Sequence, residues 1–573
     1  MGATLRSKIR TLPSSIVNRI AAGEVIERPA YAIKELVENA IDAGASSIKI
    51  VLEDAGLKKL IVTDDGHGMS KDDLILSFQK NTTSKIRDEA DLSRIRTMGF
   101  RGEALASIAA VSHLTIKTKM DEDDTGWMVE LHPDDDQVEL SVAGVPNGTS
   151  VVVDHLFQPV PVRRKFLKTN RTELRHIIDI LTNVALAYPE LGVFVTHNRK
   201  VMFDLPRNQS LEDRIRTLLG SHVFDHLIPV SLESDYFSIH GYISKPQLAG
   251  RATNKQHLFV NNRSVSHPLI SSTVRDLYGS LLEPGLNPVF VLFIGLPHEM
   301  VDVNIHPRKE EVNFQDNHYV ARLLEKAIQD SLTRLDLTFR QLHSPDKPDY
   351  FSYQDRKTEA STHYVLREEV EPWDARNELR IRDKNDILQV HNLYIIAQTD
   401  NGLIMVDQHA AHERILYEQF SKVFKEKAGN CQSIPLEESL IIDFSVSDRV
   451  VFEEHADYFR SMGFDIDPFE HGMFKINAIP SFFDGKDIVK LIREVVDDLA
   501  SGKTPKEIDT KSKKTLAYLA CRSAIKAGDV LSPDECKELL MKLEQTDSQY
   551  TCPHGRPVKI EISKKELGKM FRR

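Results

Sequence analysis

Between Arg28 and Ala45 the chain reads RPAYAIKELVENAIDAGA, and Ile33, Leu36, Val37, Ala40 and Ile41 recur at the spacing that lays one apolar stripe along a helix. Pro29 suits the first turn of that helix and Gly44 its stop. Glu35, Asn39 and Asp42 fall opposite the stripe, and Glu35 and Asn39, one turn apart, can reach the same small volume. An ordinary amphipathic helix spends such residues on a solvated face. The segments that follow give this polar face another use.

A chain of 573 residues is too long for one core, so about two to four domains are expected, and a hydrophobic content of 41% suffices to fill them. The net charge of -11 argues against binding nucleic acid through the overall field and leaves only local basic patches for that purpose. Four cysteines, at 431, 521, 536 and 552, are too few for a disulfide scaffold and fit a reducing compartment, while their place in the last quarter leaves metal binding open. The opening MGATLRSKIRTLPSS has no long apolar region and no run approaches a membrane span, so a soluble cytoplasmic protein with no membrane partner is expected.

After the helix, Ile48, Ile50 and Leu52 alternate with polar residues, and Leu60 and Val62 do so again, which reads as two antiparallel strands joined by a short turn. The second ends in Asp64-Asp65-Gly66-His67-Gly68, where glycines allow a ligand close to the backbone and an aspartate can accept from an amino group. Alone, this pattern fits a plain loop equally well. Asn81-Thr82-Thr83-Ser84-Lys85-Ile86 follows, then Gly99-Phe100-Arg101-Gly102-Glu103-Ala104-Leu105, a glycine-rich loop entering a helix whose free N–H groups suit phosphate. Asn147-Gly148-Thr149 leads into the strand Val151-Val152-Val153.

Taken in order, ELVENAIDAGA, DDGHGM, GFRGEALASI and NGTSVVV resemble the four nucleotide-binding motifs of the GHKL superfamily of gyrase, heat-shock chaperone, histidine kinase and MutL ATPases. IAAGEVIERP at 20 to 29 and the wording of 100 to 105 are similar to the MutL branch. The resemblance implies ATP and Mg²⁺ as cofactors, Glu35 as the general base toward water and Asn39 as a Mg²⁺ ligand. It implies Asp64 as acceptor from the adenine amino group, with Gly66 and Gly68 lining the base pocket. Thr83, Arg101, Gly102, Glu103, Ala104, Leu105 and Thr149 complete the implied nucleotide contacts, the stretch from Arg101 to Leu105 acting as a lid. Where the family carries a His-Ala pair before Thr-Ser-Lys-Ile, this chain has Asn81-Thr82, a change expected to alter lid contacts and leave ATP binding in place.

Arg163, Arg164, Lys165 and Lys168, with Phe166 among them and Arg171 beyond, form the densest basic cluster. They are candidates for contact with the DNA backbone without base reading, beside the plainer reading of a solvated helix start. The segment is similar to a PARRKFL stretch of the family that also serves packing. From about 215 to 335 the pattern is strand, strand, helix: residues 257 to 263 read as an edge of alternating residues, and a strongly apolar strand covers 289 to 296. This resembles the family's second domain, a small α/β module like one of a ribosomal protein, whose HPxK motif here puts Lys309 on the γ-phosphate.

Residues 338 to 380, with prolines, mixed charge and no sustained period, read as a flexible tether, about 35 Å end to end on average and roughly 140 Å when stretched. Beyond it, Leu403 to Val406 is a buried-strand run ending in Asp407, with His409 and Glu413 four residues apart on the helix that begins there. One nitrogen and two oxygens converging suit Zn²⁺ or Mn²⁺, although a polar helix start would look the same. Together with ACR at 520 to 522, CPHGRP at 552 to 557 and the final FRR, the segment resembles the motif set of endonuclease-type MutL proteins. That resemblance implies Asp407, His409, Glu413, Cys521, Cys552 and His554 as metal ligands or near-ligands, with Asp407 and Glu413 serving catalysis. Glu418 reads as a support of the helix, and His412 and Cys431 match no ligand position. Pro435 lies in a segment only partly similar to the one that binds the replication sliding clamp.

The expected fold is therefore an α+β multidomain chain. A GHKL ATPase sandwich covers 1–210, a ribosomal-protein-like transducer 211–337, the linker 338–380, and an α/β dimerisation and endonuclease domain 381–573 with an inserted subdomain at about 443–510. The implied function is DNA mismatch repair by an ATP-driven homodimeric clamp, with DNA and a MutS-type mismatch-recognition protein as partners and a latent DNA-nicking activity. A nuclease-inactive matchmaker with a structural zinc is the rival. A chaperone or topoisomerase subunit fails on IAAGEVIERP and on the C-terminal motifs.

Overall fold

Arg28 is extended and Pro29 takes the first helical position, so the helix Pro29–Asp42 starts where the missing proline N–H costs nothing. Its stripe residues Ile33, Leu36, Val37 and Ala40 are all buried, as is Glu38. The computed structural model describes residues 26–80, 82–85, 98–99, 102–133, 138–234, 236–250, 255–282, 285–302, 311–333, 387–426, 433–501, 511–526 and 528–571. The tether, Arg101 and Lys309 lie outside the described residues.

The helix packs on an eight-stranded sheet: β1 (Ser47–Glu53), β2 (Lys59–Asp64), β3 (His113–Lys119), β4 (Gly126–Leu131), β5 (Glu139–Ala143), β6 (Gly148–Asp154), β7 (Gly192–His197) and β8 (Lys200–Leu205). Their order is β5-β4-β3-β6-β2-β1-β7-β8, antiparallel except where β1 meets β7. The alternation expected of β1 is present, with Ile48, Ile50 and Leu52 fully buried. The register sets Asp64 opposite Ile48 at one end of β2 and opposite Thr149 on β6. A second helix, Asn170–Ala187, begins at Thr169, whose hydroxyl accepts from Thr172 N–H, and packs beside the first.

The second domain holds β9 (Leu227–Ser234), β10 (Phe237–Ser244), β11 (Gln256–Val260), β12 (Arg263–Val265) and β13 (Phe290–Gly295), in the order β12-β11-β13-β10-β9. Residues 257 to 263 are not one edge strand: β11 runs inside the sheet, parallel to β13, and turns at Asn261 and Asn262 into β12. Both asparagines have positive φ, the requirement of a two-residue hairpin turn that alternation does not reveal. Helices Pro268–Leu277 and Asn317–Thr333 close this core, and β14 (Val301–Asp302) pairs with β15 (Asn313–Phe314). Phe259, Val291 and Phe293 also join the first domain's core, so the two domains share an apolar seam.

Beyond the tether, β16 (Ile387–Val390), β17 (Tyr394–Thr399), β18 (Gly402–Asp407) and β22 (Lys559–Ser563) form an antiparallel sheet in the order β16-β17-β18-β22. Helices Gln408–Glu426 and Pro533–Glu544 cover one face. On the other, Leu388, Ile396, Met405 and Ile560 stand in register across all four strands, with Leu388 63% and Ile560 53% exposed. The insert contains β19 (Ser433–Ile442), β20 (Asp465–Pro468) and β21 (Phe474–Pro480), in the order β19-β21-β20, with helices Val446–Ser461 and Ile488–Ser501 around its own phenylalanine-rich core. Among the described residues no helix is long and apolar enough to cross a membrane.

At the seam, buried His257 donates from Nδ1 to Asn183 Oδ1 at 2.7 Å. Burial holds its imidazole neutral, pushed down to about 4 from the ordinary 6.5. Below pH 6.5 the unfolded chain takes up a proton that the folded chain refuses. Stability therefore falls as pH drops from 6.5 toward 4, by roughly 3 kcal/mol from this group, and the loss levels off below that. His257→Gln keeps a donor for Asn183 without titrating, and its thermal midpoint should drop less over that range than the parent's; an equal drop would clear His257 as a source.

Candidate nucleotide and metal sites

The end of β2 gathers Asp64, Gly66 and Gly68, with Thr149 beside them on β6. Asp64 Oδ1 accepts from Gly66 N–H at 2.9 Å and from Thr149 N–H at 3.3 Å, and Thr149 Oγ1 meets Thr118 Oγ1 at 3.0 Å. Burial raises the Asp64 carboxyl above its usual range despite those two amides. At Gly68, with φ of +69°, a Cβ would collide with the Lys119 carbonyl, so only glycine lets the backbone pass this close. Its neighbour Asp65 has a different task. It accepts from Ser46 and Ser47 N–H at 2.8 and 2.7 Å and pairs with Arg207 at 2.5 Å, which pins the start of β1 to the end of β2.

Glu35 and Asn39 emerge half-buried from the same side of the first helix. Asn39 Oδ1 accepts from the Lys85 ammonium at 2.9 Å, and that ammonium also pairs with Asp42 at 2.6 Å. Asp42 accepts in addition from Met98 and Gly99 N–H at 2.9 and 3.1 Å. One carboxylate thus ties the helix to both segments flanking 86–97, a role not read from the sequence for either Asp42 or Lys85. Thr83 Oγ1 accepts from Lys85 N–H at 3.1 Å. Gly102, with φ of +62°, sits against the Thr82 backbone, and Glu103 precedes the helix Ala104–Val111, which carries Leu105 at its start. The site also reaches the second domain. Arg263, buried on β12, lies within charge range of Glu38 and Asp42.

In the C-terminal domain, the ligand atoms of Glu413, Cys521 and His554 lie within 4.8 Å of one another. His554 Nδ1 is 2.5 Å from Glu413 Oε1, and the Cys552 and Cys521 thiols lie close enough to act on the Glu413 carboxyl. Burial opposes charge on His554, but Cys552 and Glu413 outweigh it and push the imidazole up to about 9. Burial likewise opposes charge on Glu413, and His554 more than offsets it, so this carboxyl titrates below its usual value. Two thiols, one imidazole and one carboxylate form a donor set chemically suited to Zn²⁺.

Asp407 and His409 stand outside that three-residue cluster. Asp407 Oδ1 caps the next helix by accepting from Ala410 N–H at 2.9 Å, and His409 Nδ1 donates to the Ile525 carbonyl at 2.8 Å, which leaves Nε2 with the free lone pair. His412 accepts from Ile525 N–H at 2.9 Å, and burial holds it down to about 4, so it acts as a neutral clip. Glu418 accepts from Asp547 and Ser548 N–H at 2.8 and 3.2 Å, in keeping with a supporting role. Gln408, fully buried and bonded to the Asn392 carbonyl, was not singled out by sequence reasoning.

The basic cluster divides. Arg163 donates to the Ile26 carbonyl at 3.0 Å, while Arg164, Lys165 and Lys168 are exposed around Phe166, itself 84% exposed.

Comparison with known proteins finds three family matches along the chain. Residues 27–147 match the family of histidine kinase-, DNA gyrase B- and HSP90-like ATPases, 215–333 the C-terminal domain of DNA mismatch repair proteins, and 387–531 the MutL C-terminal dimerisation domain. The DNA mismatch repair protein MutL of Anoxybacillus flavithermus is 35% identical over 99% of this chain and 99% of its own length. The proteins of the same name from Syntrophotalea carbinolica and Methanoculleus marisnigri are 34% and 35% identical, each over 99% of this chain and 100% of their own. With identity of that depth running nearly end to end, the chain belongs to the MutL family of DNA mismatch repair proteins, with an ATPase domain at its N-terminal end and a dimerisation domain at its C-terminal end.

Proposed function

We propose that the chain works as a homodimeric, ATP-driven clamp in mismatch repair and that its C-terminal domain nicks DNA at a metal centre. The convergence of Glu413, Cys521 and His554 carries the second part of that reading.

In the N-terminal domain, Glu35 takes a proton from the attacking water and Asn39 offers its amide oxygen to Mg²⁺. The fit rests on Asn39 and Asp42 already holding one cationic group, the Lys85 ammonium. Asp64 accepts from the adenine amino group. The backbone from Gly102 to Leu105, with Thr83 and Thr149, faces the phosphates, where Arg101 and Lys309 are also assigned. Mg²⁺ supplies charge neutralisation along the phosphates; the residues position, accept and exclude water.

In the C-terminal domain, Glu413, Cys521, Cys552 and His554 would hold Zn²⁺, and Asp407 with the free Nε2 of His409 would serve an exchangeable Mn²⁺. Such cations supply Lewis acidity toward a phosphodiester and lower the pKa of a water. Arg164, Lys165 and Lys168, with Arg163 as their anchor, offer DNA a sequence-independent phosphate contact. A MutS-type protein brings the clamp to mismatches. Exposed Pro435, on edge strand β19, is the assigned contact with the replication sliding clamp. A second reading, a nuclease-inactive matchmaker with a structural zinc, draws on Asp407 being occupied as a helix cap outside the cluster.

Nicking of supercoiled plasmid with Mn²⁺ separates the two. Asparagine caps a helix as well as aspartate does, so Asp407→Asn should keep the fold and bound zinc while nicking falls by about a hundredfold. Equal nicking in the variant, or none by the parent while it hydrolyses ATP, would favour the matchmaker.

The apolar row on the open sheet face is assigned to dimerisation. Leu388→Asp together with Ile560→Asp should shift the chain from dimer to monomer in sedimentation equilibrium with nucleotide affinity unchanged; a dimer that persists would move the interface elsewhere.

Asp42→Ala strips acceptors from Met98, Gly99 and Lys85 at once. Nucleotide affinity, read by titration calorimetry, is expected to fall about tenfold. An unaltered affinity would show that this tie is incidental to nucleotide binding.

A further inference from the structure

The inserted subdomain rests on the N-terminal half of the chain through a face that would be costly to leave in water. Val446 and Val450 of the helix Val446–Ser461 belong to the first domain's hydrophobic core, and Ser447, Asp448 and Arg449 between them are buried as well. Arg449 donates to the Met202 carbonyl at 2.6 Å, and Ser447 donates to Asp179 at 2.7 Å. Arg175 donates to the Ala500 carbonyl at 2.6 Å, and Asp443 accepts from Ser221 N–H at 2.8 Å. These contacts lie on the first domain and just beyond it. The second domain contributes Lys255, whose ammonium stands 3.0 Å from Asp448 and 3.1 Å from Asp497, one carboxylate on each of the insert's two helices. The approach is close, since a Cβ at Gly250 would come within 2.7 Å of Asp497.

We propose that the insert is a charge-latched cover over the seam between the ATPase and second domains of its own chain, with Lys255 as the latch. Removing that ammonium takes a shared cation away from two buried carboxylates, with Arg493 left within charge range of Asp448, so closing the face becomes costlier. The cover also bears on the metal centre. Asp498, next to Asp497, grips Arg522 through two bonds of 2.7 and 2.8 Å, and Arg522 follows Cys521. Docking therefore holds the helix turn that anchors a metal-ligand helix, and the closed chain keeps its metal centre at a fixed place relative to its nucleotide site.

Zero-length carbodiimide coupling of the full-length protein tests this. Lys200 and Glu453, 2.6 Å apart and both solvent-accessible, lie across the interface and outside the latch, and Lys58 with Glu53, 2.7 Å apart within the first domain, form the internal control. A mixture of ¹⁴N- and ¹⁵N-labelled protein tells intrachain from interchain products by mass spectrometry. The expected result is an intrachain Lys200–Glu453 product whose yield falls at least about tenfold in Lys255→Met while the control product is unchanged. The triple variant Lys255→Met, Asp448→Asn, Asp497→Asn, which removes charge from both sides, should restore it and so separate a lost latch from a damaged fold. A product absent from the parent, formed only between chains, or indifferent to Lys255→Met overturns the proposal.

Discussion

Burial of Ile33, Leu36, Val37 and Ala40 against the eight-stranded sheet is the interaction that everything at the nucleotide site depends on. Each of the three larger side chains contributes about 1.5–3 kcal/mol when fully removed from water, so the helix has no freedom to roll. A helix that cannot roll holds Glu35 and Asn39 on a fixed line, and Asp42 one turn further. The geometry of this polar face is a by-product of core packing. The polar residues need no packing of their own, because the apolar stripe aims them.

Which carboxylate does what then follows from its partners. Asp64 and Asp65 are adjacent in sequence, yet alternation along the strand end sends them to different surroundings. Asp64 is half-buried with two amides, and burial raises its carboxyl above the usual range; Asp65 gathers two amides, a hydroxyl and Arg207, and is lowered. The first is the candidate acceptor toward a ligand, and the second fastens two strands. Asp42 combines the two tasks, holding Lys85 beside Asn39 while its oxygens pin the backbone at 98 and 99. One carboxylate thus links a side chain that reaches Asn39 to the backbone at 98 and 99.

Local periodicity and motif order made the first helix, β1, β2 and the ligand-bearing segments legible in the sequence, because each is decided within about ten residues. What escaped is what depends on distant chain. Asp42 looked like one more polar residue, since its partners arrive from 43 and 56 residues away. Glu38, buried rather than solvated, is covered from the second domain's side, where Arg263 stands. The stretch from 257 to 263 looked like an edge because alternation reports one exposed face and says nothing about which strand lies next to it; β13, more than thirty residues on, fills that place. Of the six metal-ligand candidates, Glu413, Cys521 and His554 come together, Cys552 adjoins them, and Asp407 and His409 stand apart.

The same logic orders the C-terminal half. Gln408–Glu426 carries Glu413 toward the thiols while Ala410, Ala411 and Ile415 of the same helix are buried on the sheet whose far side bears the Leu388, Ile396, Met405 and Ile560 row. One sheet therefore supports the helix that carries Glu413 on one face and offers the apolar row on the other. Cys521 lies on the helix Lys511–Ser523, whose Arg522 donates to Asp498 of the insert. Of the four candidate donors, Glu413 is thus anchored to that sheet and Cys521 is tied through its neighbour Arg522 to the insert. With His554 their ligand atoms come within 4.8 Å of one another, so the candidate site is built from both the sheet and the element fastened to the insert.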